Sequence, residues 1–180
     1  MSRTLLIGGA RSGKSRQAER LLAAEPGAGA ATYVATGYPV GYDEEWTDRV
    51  RAHQAARPPQ WSTMETTDLV PLLDAAGGPL LVDCLTLWLT RVMDRHEGWD
   101  DTAWVDRAQE SVRAEVDALV CAWAHASRTV VAVTNEVGQG VVPATAAGRR
   151  FRDEMGTLNT RMADAADRVL WCVAGRAVAL

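Results

Sequence analysis

Lysine is almost missing from this 180-residue sequence. Of 19 basic residues only Lys14 is lysine, and the rest are arginine. Arginine carries a planar fork, whereas a narrow site accepts a compact ammonium on a flexible stem, so Lys14 stands out before any motif is considered. Cysteine is scarce too, with Cys84, Cys121 and Cys172 far apart and odd in number. That excludes a disulfide framework or a zinc spacing and leaves buried, reduced thiols in a cytoplasmic protein as the expectation. Positive charge is not in excess, since the net charge is −4. A basic surface for nucleic acid is therefore not expected. No long hydrophobic run exists: the longest, residues 79–90, contains Asp83 and is too short to cross a bilayer. Gly8-Gly9 interrupts the apolar start Leu5-Leu6-Ile7 almost at once, so no signal peptide is expected. Phenylalanine occurs once against seven tryptophans, most of them expected in the core.

What is present is an ordinary globular balance, 47% hydrophobic and 23% charged, which excludes disordered, collagen-like and coiled-coil chains. The length implies one domain, residues 1–180, able to bury ~70% of its unfolded surface without a structural metal. Leu5-Leu6-Ile7 predicts a buried strand, residues 15–24 a helix and residues 31–36 a second strand. Helical spacing returns over 43–56, where Trp46, Val50 and His53 share a face, and Arg57-Pro58-Pro59 ends it. Further strands are predicted at 61–65, 80–83, 129–134 and 168–173, with an edge strand at 177–180. Helices are predicted at 69–75, from Leu85, over 100–126 and over 145–166. This alternation implies a largely parallel sheet covered on both faces, with ligands beyond the carboxyl ends of its strands.

Gly8-Gly9-Ala10-Arg11-Ser12-Gly13-Lys14-Ser15 fits the phosphate-loop pattern G-x-x-x-x-G-K-[ST], and it lies where that motif requires, between a strand and a helix. The glycines let backbone N–H groups face the phosphates, Lys14 reaches the β and γ oxygens, and the Ser15 hydroxyl can hold Mg²⁺. Leu80-Leu81-Val82-Asp83 resembles the strand whose terminal carboxylate holds Mg²⁺ directly or through water. His53 admits two readings. It is either a helix residue sharing the stripe of Trp46 and Val50, or a nucleophile toward phosphorus kept neutral by Arg49 and Arg57 on either side. Thr134-Asn135-Glu136-Val137-Gly138-Gln139-Gly140 either reads substrate or is a turn with satisfied polar groups. His96 and His125 read as ordinary surface or helix residues, and residues 149–153 as a solvated helix face. The N-K-x-D guanine motif is absent, which counts against a nucleotide-dependent switch.

These segments together resemble one family, the bifunctional adenosylcobinamide kinase/adenosylcobinamide-phosphate guanylyltransferases of cobalamin biosynthesis (CobU type). The resemblance covers nearly the whole chain. It rests on the phosphate loop with Arg16, on Tyr33-Val34-Ala35-Thr36, and on Arg49-Val50-x-x-His53-x-x-x-Arg57-Pro58 with Trp61, Thr63 and Glu65. It also rests on Val82-Asp83-Cys84-Leu85-Thr86, Val133-Thr134-Asn135-Glu136-Val137-Gly138, and Phe151-Arg152-Asp153 with Gly156 and Asn159. The resemblance implies a P-loop NTPase (RecA-like) three-layer α/β fold with a mostly parallel central sheet. It implies ATP or GTP with Mg²⁺, adenosylcobinamide as the corrinoid substrate, and a homo-oligomer, a trimer. His53 becomes the acceptor of GMP. Nucleotide contacts would come from Gly8 through Ser15, Ala35, Thr36, Gly37, Gln54, Ala55, Ala56, Arg57, Glu65 and Asp83, with Ser15 and Asp83 serving the metal. The stretch 37–42 looks longer than in family members. Two alternatives stand beside this reading: a small-molecule phosphate-loop kinase with no covalent intermediate, and a nucleotide-binding regulator.

Overall fold

The computed structural model describes all residues except Val40, Tyr42, Asp43 and Ala56 and the side chains of Glu45, Trp46, Arg49, Ala52 and His53. Among the described residues, seven strands form one sheet: β1 (Arg3–Gly8), β2 (Thr32–Ala35), β3 (Ser62–Glu65), β4 (Leu80–Asp83), β5 (Val130–Asn135), β6 (Arg168–Val173) and β7 (Arg176–Ala179). Their order across the sheet is β3-β2-β4-β5-β1-β6-β7. All neighbours run parallel except β7, which returns antiparallel along β6. The central strands are apolar on both faces, as a sheet covered on both sides requires.

Alternation along each strand divides the core in two. Leu5, Ile7, Leu80, Val82, Val130 and Ala132 face α4 (Leu85–Arg95), α6 (Gln109–His125) and α7 (Ala146–Asp164). Leu6, Tyr33, Leu81, Val131, Val133 and Leu170 face Ala18 and Leu22 of α1 (Lys14–Ala23). This is a three-layer α/β fold. Two further helices, α2 (Glu44–Ala55) and α3 (Val70–Asp74), complete the links between strands β2, β3 and β4.

The long helix predicted over 100–126 is not uniform. Asp100 caps it by accepting the Ala103 N–H at 2.8 Å, and α5 (Asp101–Ala103) opens into a π-helical turn, Trp104–Ala108, before α6. The buried positions explain the widening. Ala103 and Ala108 are five residues apart, whereas Ala108, Val112 and Val116 follow at four. A wider turn keeps all of them on the core side. Two other expectations change. Cys121 is exposed on α6, while Cys84 and Cys172 are buried. The segment 149–153 is solvated only in part: Arg149 and Asp153 are exposed, whereas Arg150 is nearly buried, pairs with Asp101 at 2.6 Å and stacks over Trp104.

Candidate active site

Strand β1 runs into the loop from Gly8 to Gly13, and α1 starts at Lys14. Packing demands two of the loop glycines. A Cβ on Gly8 would lie 2.5 Å from the Cys172 carbonyl oxygen and 2.7 Å from Ser12 Oγ. Gly13 has φ +90°, a left-handed backbone that costs an L side chain ~1–2 kcal/mol. A Cβ on Gly13 would also meet Gly175 Cα at 2.9 Å. Gly9 has nothing within 4 Å of its Cβ position, so packing within the chain does not require it. The turn between β6 and β7 braces the loop from the side. Gly175 N–H donates to the Ser12 carbonyl at 2.8 Å, and Gln17 Nε2 donates to the Gly175 carbonyl at 2.6 Å. Lys14 is buried, and its Nζ donates to the Gly9 carbonyl at 3.0 Å. Ser12 Oγ is buried without a hydrogen-bond partner.

Asp83 ends β4 on the same side of the sheet, with β5 between it and the loop strand. Tyr33, two residues before Ala35 on the neighbouring strand, donates its hydroxyl to Asp83 Oδ2 at 2.7 Å. Burial, followed by the Asp83 charge, holds the Tyr33 phenol far above its ordinary pKa, so it stays a neutral donor. The Arg57 guanidinium lies 3.4 Å over the Tyr33 ring, with Nη1 on Thr63 Oγ1 at 3.0 Å. Glu19 joins this group from α1, its carboxyl pushed up by burial and then by Asp83. Thr36 is fully buried, and its hydroxyl donates to the Cys84 carbonyl at 2.7 Å.

A cavity of about 290 Å³ opens between the loop and Asp83. Of the residues named from sequence, Ala10, Lys14, Ser15 and Asp83 line its phosphate-loop end. Ala35, Gly37, Arg57 and Glu65 line the rest. Gly8, Gly9, Arg11, Ser12 and Gly13 shape the loop without lining the cavity, and Thr36 supports its floor. Gln54 and Ala55 sit at exposed positions near the end of α2, outside the lining. Ala56 and the side chain of His53 lie outside the described residues. Tyr33, Tyr38, Val50, Cys84, Leu87 and Asn135 also line the cavity, and of these the sequence offers a substrate-reading role for Asn135 alone. Only Asn135 had a signal, as a polar residue closing a strand. Tyr33 reads as an ordinary strand aromatic until the register of β2 and β4 is known.

The family model for cobinamide kinase/cobinamide phosphate guanyltransferase (CobU) matches residues 4–180. The bifunctional adenosylcobalamin biosynthesis protein CobP of Pseudomonas aeruginosa is 42% identical over 181 residues, covering 96% of this chain and 94% of its own. The corresponding CobU proteins of Salmonella typhimurium and Escherichia coli are each 37% identical, with 95% of both chains covered. Among solved structures, a prototypical ATPase from the type III secretion system of pathogenic bacteria superposes on 94% of this chain with a TM-score of 0.57 at 14% identity. This chain spans 50% of that ATPase, and the likeness speaks to the fold. A phosphate loop and an acidic strand end facing one cavity, within a match that runs almost from end to end, place the chain in the cobinamide kinase/cobinamide phosphate guanyltransferase family.

Proposed function

We propose that this chain phosphorylates adenosylcobinamide with a nucleoside triphosphate and then transfers GMP from GTP to the product, by way of a guanylyl-histidine at His53. The observation that carries the reading is the single cavity that Lys14, Ser15 and Asp83 share, in a chain of this family. In the first step the acceptor hydroxyl attacks the γ-phosphorus, the bond to the β-phosphate bridge breaks, and the nucleoside diphosphate leaves. Lys14 and the loop N–H groups offset charge on the β and γ oxygens as that bond lengthens. In the second, a neutral His53 ring nitrogen attacks the α-phosphorus of GTP and pyrophosphate leaves. A phosphate oxygen of adenosylcobinamide phosphate then displaces the histidine, giving adenosylcobinamide-GDP.

The residues here suit Mg²⁺ carried in with the nucleotide. Ser15 and Asp83 are hard oxygen donors lining one cavity, and no cluster of three or more His, Cys, Asp or Glu exists among the described residues. Mg²⁺ commonly binds by such a pair plus phosphate oxygens and water. When bound it supplies charge neutralisation on the triphosphate. Tyr33 fixes one oxygen of Asp83 in place. Arg57, Glu65, Ala35 and Gly37 line the part of the cavity left to the nucleoside, and Thr36 supports it. We further propose that the molecule assembles as a homo-oligomer, a trimer. No helix among the described residues is long and apolar enough to cross a membrane.

Incubation with α-labelled GTP and Mg²⁺, followed by intact-mass measurement, tests the reading. The wild type gains one GMP mass in an acid-labile, base-stable adduct. His53→Ala loses the adduct and GMP transfer but still phosphorylates adenosylcobinamide. Phosphorylation by a wild type that never forms an adduct would establish the plain kinase instead.

A further inference from the structure

Strand β5 lies between the phosphate-loop strand and the Asp83 strand, and its last residue is Asn135. In the parallel register Asn135 stands beside Gly8, while Asp83 stands beside Val133, two residues lower. Asn135 is therefore level with the entrance of the phosphate loop and lines the cavity. Its backbone is held from both sides. The Asn135 N–H donates to Thr86 Oγ1 at 2.8 Å, and Asn159 Nδ2 donates to the Asn135 carbonyl at 3.0 Å. Asn159 is fixed in turn by Thr134 Oγ1, which donates to its Oδ1 at 2.7 Å. Yet the Asn135 side-chain Oδ1 is buried and has no hydrogen-bond partner.

Leaving a buried carboxamide oxygen unpaired costs ~1–3 kcal/mol, so such an atom calls for an explanation. Its neighbour offers a contrast. Glu136 Oε1 accepts a hydrogen bond from the Gly138 N–H in its own loop. The Asn135 arm is built into the sheet while its tip stays unused. A carboxamide oxygen accepts hydrogen bonds, and the oxygens of a nucleotide phosphate have no proton to give. The reacting group that does carry a proton is the hydroxyl of the phosphoryl acceptor.

Resting on the function proposed above, we propose that Asn135 Oδ1 accepts a hydrogen bond from the acceptor hydroxyl and aims its oxygen at the terminal phosphorus, acting in phosphoryl transfer but not in guanylylation. The new oxygen–phosphorus bond forms as the bridge to the β-phosphate breaks, and the hydroxyl proton passes to solvent. Asn135, an amide, takes no proton and serves through orientation.

The test compares the two half-reactions in Asn135→Ala, which keeps the clamped backbone groups. Phosphorylation of adenosylcobinamide should fall about 100-fold in kcat, the loss expected when a reacting atom is poorly positioned. Formation of the GMP adduct from GTP and the affinity for nucleotide should stay within about twofold of wild type. Asn135→Ser, with an acceptor oxygen on a shorter arm, should recover part of the lost kcat. Equal losses in both half-reactions, or a shifted Mg²⁺ requirement in both, would overturn the proposal in favour of a nucleotide or metal-water contact. Unchanged phosphorylation would overturn it as well. A wild type unable to phosphorylate adenosylcobinamide would instead refute the underlying function, so the two failures are told apart.

Discussion

Lys14 shows how much one side chain can be asked to do. It is buried, it starts the helix, and its ammonium already sits on the Gly9 carbonyl at 3.0 Å, at the throat of the phosphate loop. Lys14→Ala should lower both phosphorylation and adduct formation by at least ~100-fold, since a charge opposite the phosphates disappears from both. Lys14→Arg should not restore them, because a planar fork does not thread the same path. Full turnover by the arginine variant would remove the steric part of that argument. Tyr33 acts one step back, through Asp83. Tyr33→Phe removes a hydrogen bond to a carboxylate while leaving the ring under Arg57. It should cost ~1.5–3 kcal/mol in urea unfolding and raise by several-fold the Mg²⁺ concentration needed for tight GTP binding. If the Mg²⁺ midpoint for binding did not move, the tyrosine would hold Asp83 for stability alone.

The elements are tied together at points the phosphate loop depends on. Arg3 opens β1, and its guanidinium pairs with Asp167, just before β6, at 2.8 Å. The Asp167 carboxyl accepts both the side chain and the backbone N–H of Arg3, and these bonds lower its pKa to about 2. The lowered value means stability that is present above the unfolded pKa of ~3.9 and is lost as pH falls toward about 2. Asp167 is nearly half exposed, so solvent screening keeps the contribution below ~1 kcal/mol. Acid unfolding curves of the wild type and Asp167→Asn should therefore converge only near and below about pH 2 and separate at neutral pH. Curves parallel over the whole range would detach the pair from stability. At the other end of β6, the Gly175 turn does for the phosphate loop what Arg3 does for the strand. It fixes position through the backbone, which is why both Gly13 and Gly175 sit at positive φ in contact with each other.

For the whole molecule, the consequence is that the proposed nucleotide site spans elements far apart in sequence. Loop residues 8–15, Tyr33, Arg57, Glu65 and Asp83 belong to β1, β2, β3, β4 and the segments between them. A ligand that joins them stabilises the native chain as a unit. With a non-hydrolysable GTP analogue at about 100 times its Kd, and Mg²⁺, the gain is ~2.7 kcal/mol. For a chain this size that is a rise in Tm of ~5–10 °C. Scanning fluorimetry should show this shift in the wild type and almost none in Lys14→Ala. A shift of equal size in both would place nucleotide binding away from the phosphate loop.

The phosphate loop, the sole lysine, the acidic strand end and the alternation of strands with helices are all legible along the chain. Each is a local signal, set by short-range backbone geometry, side-chain period and the positions of Gly and Pro. The boundaries of β4 and β6 and the presence of an edge strand near residue 178 belong to the same class, whereas the antiparallel direction of β7 does not. Long-range packing decided that β5 separates β1 from β4, because strand order depends on which apolar faces pack together over long separations. It also decided that Tyr33 reaches Asp83 and that Arg57 covers Tyr33. Register across parallel neighbours sets the first of these, and no spacing along the chain encodes it. The π turn at Trp104–Ala108 arises in the same way, from a buried face that a regular helix could not keep in line. The unpaired oxygen of Asn135 is the clearest case. The sequence offers an asparagine at a strand end, and only the packed sheet shows its backbone clamped and its side-chain oxygen buried without a partner.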